Sequence, residues 1–187
     1  MLIGLGGNLT SPNGGPEIAQ KIALKSLEEQ GAVIRAISPF YHTPAYPEGI
    51  GPDFVNSAAK IGADWSPQEM LSRLHGLEAA LGRVRDARWG QRTLDLDLIA
   101  CGDMVLPDLG TYEHWRNLKF SAQADSAPDT LILPHPRMQD RAFVLVPLAA
   151  IAPDWVHPVI GRSVAQMLAD LPPEDVEGVR QIPSTKS

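Results

Sequence analysis

The residues from Arg83 to Leu98 concentrate the chemistry of this chain. Four of its eleven arginines, Arg83, Arg85, Arg88 and Arg92, fall within ten residues, and no lysine joins them. Arginine is planar, permanently charged and able to grip phosphate oxygens bidentately. Directly after it comes Asp95-Leu96-Asp97. On a strand, residues two apart face the same side, so the two carboxylates project together, about 7 Å apart. Leu94, Leu96 and Leu98 fill the opposite face. Such a pair can hold one or two hard divalent cations, and magnesium needs few protein carboxylates because it keeps waters and takes phosphates as further ligands. Acids beside arginines therefore suit Mg²⁺–nucleotide chemistry, in which metals bridge phosphates and guanidiniums neutralise developing charge. A plainer reading also exists: Arg and Asp close in sequence often form surface ion pairs of little consequence, and Asp-x-Asp can be the wet face of a strand. The combination weighs against it, with two acids where strand propensity disfavours Asp, Trp89-Gly90 in the loop, and arginine used exclusively.

Two further segments carry polar groups of the right type. In Leu133-Pro-His135-Pro-Arg-Met-Gln-Asp-Arg141-Ala-Phe143, His135 and Arg141 add donors for phosphates. Equally, they read as a turn histidine and a helix-start arginine. In Phe54-Val55-Asn56, a flat ring and an amide that donates and accepts share one strand face, which suits a planar heterocycle; a core phenylalanine beside a strand-edge polar is the ordinary alternative. Other templates fail. There is no P-loop, Gly4-Leu5-Gly6-Gly7 lacks the third glycine of a dinucleotide fingerprint, and the five histidines show no metal-helix spacing. Cys101 reads as a small buried apolar residue.

These residues need elements to hold them. The chain has 187 residues, 44% apolar and 20% charged, the balance of one globular domain with a real core. Its net charge of −6 makes it a poor general binder of nucleic acid or anionic membrane. A single cysteine rules out an internal disulfide. The start lacks a signal-peptide pattern and no apolar run reaches the ~18–20 residues of a membrane span, so a cytoplasmic protein is expected. Pattern and punctuation predict strands at 2–5, 32–38, 54–61 and 93–100. Helices are expected over about 18–27, ending at Gly31, and from Ser66-Pro67 to Gly82. Thr43 to Asp53 reads as a loop, and Val105-Leu106 and Leu131 to Leu133 as short strands. Residues 107–130 form a polar inserted excursion. Helices follow at 142–150 and 163–171, then a loose tail over 172–187. The order β-α-β-β-α-β predicts an α+β, ferredoxin-like two-layer sandwich, with one domain over 1–171.

At this level of detail the residues resemble a known family. Arg88-Trp-Gly-x-Arg92-Thr-Leu-Asp95-Leu-Asp97-Leu98 is similar to the signature of the 6-hydroxymethyl-7,8-dihydropterin pyrophosphokinases. Leu5-Gly-Gly-Asn8-Leu, Ser38-Pro-Phe-Tyr41-His-Thr43-Pro44, Asp53-Phe54-Val-Asn56, Leu74-His75-x-Leu-Glu78-x-x-Leu-Gly-Arg83 and the 133–143 segment match further blocks in order, over about residues 1–160. The resemblance implies a ferredoxin-like fold and transfer of a pyrophosphoryl group from ATP to the pterin hydroxymethyl, with AMP leaving, in folate biosynthesis. It implies that Asp95 and Asp97 ligate two Mg²⁺, and that Arg83 and Arg92 stabilise the transferring group. It implies ATP contacts from His75, Glu78, Arg85, Arg88, Leu98, His135 and Arg141. It implies a pterin slot of Thr43, Pro44, Ala45, Phe54, Asn56 and Phe143, the ring held between Phe54 and Phe143, with Trp89 closing over it. The expected partners are ATP and the pterin, without nucleic acid or membrane, and the expected state is a monomer. The loop holding Arg85 to Trp89 is one residue shorter than the common form, and the excursion at 107–130 is longer.

Two rivals from other classes stay open. A metal-dependent phosphohydrolase would use the same acids and arginines but leave Phe54, Asn56 and Phe143 without a purpose. An RNA-binding module on a ferredoxin-like sheet would need paired aromatic strand motifs and a basic face.

Overall fold

The computed structural model describes residues 1–10, 14–44, 51–81, 93–118 and 128–183. Its frame is an antiparallel sheet. Strand β1 (Leu2–Gly7) lies between β4 (Phe54–Gly62) and β5 (Asp95–Ala100), giving the order β5-β1-β4. The outer neighbour of β4 is split in two. β2 (Val33–Ile37) pairs with its C-terminal half and β3 (Tyr41–Thr43) with its N-terminal half. The split falls at Pro39, which has no N–H to give a ladder. Ser38 repairs the gap, its N–H reaching Ala58 O and its Oγ accepting the Ala58 N–H, both at 2.9 Å. Treated as one interrupted strand, β2 and β3 complete the expected βαββαβ arrangement.

Helices α1 (Pro16–Glu29) and α2 (Pro67–Ala80) cover one face of the sheet. α1 turns Ala19, Ala23, Leu24 and Leu27 inward, the 3.6-residue stripe expected of an amphipathic helix. It stops in a Schellman motif: Gly31 N–H reaches Glu28 O at 2.9 Å and Ala32 N–H reaches Leu27 O at 3.0 Å. Gly31 takes φ +106°, open to glycine and strained for other residues. α2 starts at the predicted Ser66, whose Oγ accepts the Glu69 N–H while the Glu69 carboxylate accepts the Ser66 N–H, a complete capping box. Between helices and sheet lies the larger core, with Ile3, Leu5, Leu27, Ile61, Met70, Leu74, Leu94, Leu96 and Leu98.

The other face is only partly covered. α4 (Ala142–Ala149) and α5 (Val164–Ala169) pack Val144, Leu145, Leu148, Val164 and Met167 against Leu2, Ala58 and Ile99, adding a layer beyond the two expected. Three other parts of the chain differ from their sequence reading. The excursion contains α3 (Leu109–Asn117), capped by Asp108, and the fully buried Tyr112 docks it. Tyr112 Oη lies 2.9 Å from Nε2 of the buried His157. Burial raises the Tyr112 pKa to about 12 and lowers that of His157 to about 4, so the pair is neutral. The short strands expected at 105–106 and 131–133 are reduced to a single bridge, Leu106 to Leu133. The tail after Leu171 is not loose over its described length. It forms α6 (Pro173–Glu177) and β6 (Arg180–Gln181), which pairs with β3.

Candidate active site

Strand β5 divides its residues by parity. Leu94, Leu96 and Leu98 enter the helix-side core, whereas Asp95 and Asp97 stand half-buried on the face that α4 leaves uncovered. The register then builds a row. Asp95 lies opposite Gly6, Gly6 lies opposite Asn56, and Asn56 lies opposite Tyr41. One step along, Asp97 lies opposite Gly4. The acids and the amide are therefore separated by glycine alone, across two strand spacings or about 10 Å. The absence of side chains is needed: a Cβ on Gly6 would come within 2.9 Å of Asn56 Oδ1. The result is an open cleft, floored by Gly4 and Gly6 and walled by Asp95, Asp97, Asn56 and Phe143.

On the Asn56 side, its Nδ2 donates to Thr43 Oγ1 at 2.9 Å. That bond fixes the amide and turns Oδ1 towards Gly6, where it can accept a hydrogen bond from a ligand. Beneath it, the buried Gln20 of α1 accepts from Ser57 Oγ at 2.6 Å and donates to Val55 O at 2.8 Å, so both neighbours of Asn56 are tied down from the core side. Phe143, on the first turn of α4, is exposed at the cleft wall. Phe54 is half-buried on the same face of β4 as Asn56 but does not line the cleft. Pro44 is exposed just after β3.

On the acid side, the segment after Leu133 runs along the outer edge of β5, His135 N–H meeting Ile99 O at 2.8 Å. His135 Nδ1 accepts the Arg137 N–H at 3.1 Å, which leaves Nε2 to carry the ring proton. Burial, reinforced by the nearby Arg141 charge, pushes the His135 pKa down to about 3. The ring is thus a neutral donor at physiological pH. Burial also lowers the Arg141 pKa, opposed by Asp97 and Asp95, and its guanidinium lies 5.6 Å from the centre of the Phe143 ring. A cation, a neutral donor and two carboxylates thus share one electrostatic environment beside an aromatic wall.

Two expected contacts are placed differently. The Leu98 side chain is buried in the core under α1 and α2, because strand alternation sends it there, and Leu98 does not line the cleft. Glu78 is buried behind β5, its Oε1 accepting the Leu96 N–H at 2.8 Å. β5 is the sheet's end strand, and this carboxylate satisfies one of its outward amides. His75 is exposed one turn earlier on α2. Ala45, Arg83, Arg85, Arg88, Trp89 and Arg92 lie outside the described residues. Gly4 and Gly6 were missed as site residues; the signal available was glycine at a two-residue spacing inside an otherwise apolar strand.

Residues 2–153 match the family of 7,8-dihydro-6-hydroxymethylpterin-pyrophosphokinase (HPPK). The chain belongs to that family. It is 36% identical over 171 residues to the 2-amino-4-hydroxy-6-hydroxymethyldihydropteridine pyrophosphokinase of Synechocystis sp., covering 89% of this chain and 73% of that one. It is also 36% identical over 181 residues to the enzyme of that name from Pseudomonas aeruginosa, covering 97% and 95%. Among solved structures, it resembles the wild-type HPPK-DHPS of Plasmodium falciparum, with a TM-score of 0.53 at 13% identity. That likeness spans 90% of this chain and 42% of the other, so this chain spans about two fifths of the Plasmodium one. Membership makes the chain a pyrophosphokinase of folate synthesis, with ATP as co-substrate and hydroxymethyldihydropterin as acceptor. Among the described residues no helix is long and apolar enough to cross a membrane.

Proposed function

We propose that the glycine floor separates two half-sites, with the ATP triphosphate on the Asp95/Asp97 side and the pterin on the Asn56/Phe143 side. The observation that supports it is the row Asp95–Gly6–Asn56, which puts the acids and a free amide oxygen on one bare surface. A flat heterocycle lying on Gly6 offers its ring N–H groups to Asn56 Oδ1 and its face to Phe143. Its hydroxymethyl arm then points along the row to the acids.

In this reading the hydroxymethyl oxygen attacks the β-phosphorus of ATP in line. The new O–P bond forms as the bond between the β-phosphorus and the α-bridging oxygen breaks, AMP departs, and the hydroxyl proton passes to solvent or to a carboxylate oxygen of Asp95 or Asp97. His135, neutral and donating through Nε2, and Arg141 bind phosphate oxygens. Arg83 and Arg92, which the chain order puts between α2 and β5, supply further positive charge to the transferring group. Arg85, Arg88 and Trp89 belong to the loop that closes over the substrates, and Thr43, Pro44, Ala45 and Phe54 to the pterin side. His75 stands on the ATP side, and Glu78 acts there through β5. Catalysis is positioning and charge neutralisation.

Asp95 and Asp97 fit magnesium. Among the described residues no set of three His, Cys, Asp or Glu side chains converges as a metal cage, and a two-carboxylate site completed by phosphates and water is the usual magnesium arrangement. Two bound Mg²⁺ would neutralise phosphate charge and polarise the transferring group. A monomeric, cytoplasmic enzyme built from one catalytic domain, with β6 as part of its sheet, belongs to this proposal.

The test is AMP formation from ATP, Mg²⁺ and 6-hydroxymethyl-7,8-dihydropterin, with a control lacking pterin. AMP that appears only with pterin is the expected result. ADP or free phosphate released regardless of pterin would identify a phosphohydrolase instead.

A further inference from the structure

The family match ends at residue 153, yet the chain continues through α6 and β6 to the acceptor side of the cleft. β3, the strand that carries Thr43, has only three residues. Held by β4 alone it would be a short edge strand, the kind that frays. β6 gives it a second neighbour. Tyr41 pairs with Gln181, His42 with Arg180, and Ile182 N–H reaches Phe40 O at 2.8 Å. Just before β6, Val179 is buried in a small cluster with Tyr41 of β3 and Ala142 of α4. Gly178 runs close beside Pro44, a Cβ there lying 4.0 Å from Pro44 Cδ. α6 packs along α4.

The segment therefore touches both walls of the pterin half-site from behind. On one wall, Tyr41 and His42 lead directly to Thr43, whose Oγ1 holds the Asn56 amide. On the other, Ala142 precedes Phe143. Its strand lies at the opposite end of the sheet from β5, in the order β5-β1-β4-β3-β6, so the acids are three strands away from β3. We infer that residues 173–183 form a strap that positions the acceptor half-site, with Val179 as its anchor, and that they contribute to pterin affinity without touching the pterin. This rests on the proposed division of the cleft into an ATP side and a pterin side.

Two variants of the full chain test it: Val179→Ala, which removes the anchor, and Ile182→Pro, which removes the N–H donated to Phe40 O. Steady-state AMP formation is measured with pterin varied at saturating ATP, and then with ATP varied at saturating pterin. The strap predicts that KM for pterin rises about five- to tenfold while KM for ATP stays within about twofold. Equal rises in both constants, or no rise for pterin, would overturn it, since a purely structural role does not discriminate between substrates. Amide hydrogen exchange on the same variants gives a readout that does not depend on activity. Faster exchange at Tyr41, His42 and Thr43, with Leu96 and Leu98 unchanged, is expected; protection unchanged at 41–43 would refute the strap. If the unmodified chain makes no pterin-dependent AMP, the division of the cleft fails, and the exchange experiment still decides whether the strap holds β3.

Discussion

The two faces of β5 make opposite use of one short stretch of chain. Leu94, Leu96 and Leu98 are nearly inaccessible and pack under two helices, whereas Asp95 and Asp97, interleaved with them, remain open to a cleft. Three buried leucines supply several kcal/mol of burial, at about 1.5–3 kcal/mol each. That rigid backing is what allows two like charges to be held side by side on the other face. The lesson is that stability and chemistry are separated here by strand parity and by no greater distance. Substitutions one residue apart are accordingly expected to fail in different ways.

The largest effect is expected at the acids. Asp97→Ala should lower kcat by about a thousandfold or more, the scale of losing a charge-stabilising group, with thermal stability little changed. Calorimetry alongside the AMP assay checks both halves of that statement. The glycine floor comes next. Gly6→Ala would drive a methyl group to within 2.9 Å of Asn56 Oδ1, so KM for the pterin should rise by about tenfold or more, with about 1–3 kcal/mol of destabilisation from overpacking. Leu96→Ala inverts the pattern. It should cost about 2–5 kcal/mol of unfolding free energy in a denaturant titration while kcat per folded molecule stays close to normal. A Leu96→Ala enzyme that is stable but inactive would erase the distinction between the faces.

A smaller effect concerns acid. His135 and His157 are held neutral, with pKa values near 3 and 4, below the ordinary histidine value of 6.5. The unfolded chain takes up protons that the folded chain refuses. Stability should therefore be fully present above about pH 6.5 and decline as pH falls from there towards 3, readable as a falling midpoint in denaturant titrations. His135→Gln should flatten part of that decline. Between pH 7 and 8 the same ring should leave no titration in kcat.

Much of this was legible because the signals are local. The capping box at Ser66, the glycine after α1 and the alternation of β5 each occupy a few adjacent residues with a specific stereochemical demand. The Asp95/Asp97 pair was legible for the same reason. What was not legible depends on partners far along the chain. β3 is too short for a period to show and exists because β4 and β6 flank it. Tyr112 sits in a polar excursion, and its burial depends on His157, 45 residues later. Val179 is one of three scattered aliphatic residues, with Val176 and Ile182, in an otherwise polar tail, and its role needs Tyr41 and Ala142. The resemblance implied a ligand contact for Glu78, but its carboxylate is taken up by the outward Leu96 amide of an end strand, a partner 18 residues away. Leu98 illustrates the converse: parity alone puts its side chain in the core, yet the motif that contains it reads as functional throughout.

The most direct test of the account is the fate of labelled phosphate. ATP carrying label in its γ-phosphate is turned over with 6-hydroxymethyl-7,8-dihydropterin by the unmodified chain and by Asp97→Ala. The account predicts that the label passes to the pterin with one AMP released per pterin consumed, and that Asp97→Ala, folded as before, does neither at a measurable fraction of the rate. Label released as free phosphate, or an Asp97→Ala enzyme within about tenfold of normal, would contradict it.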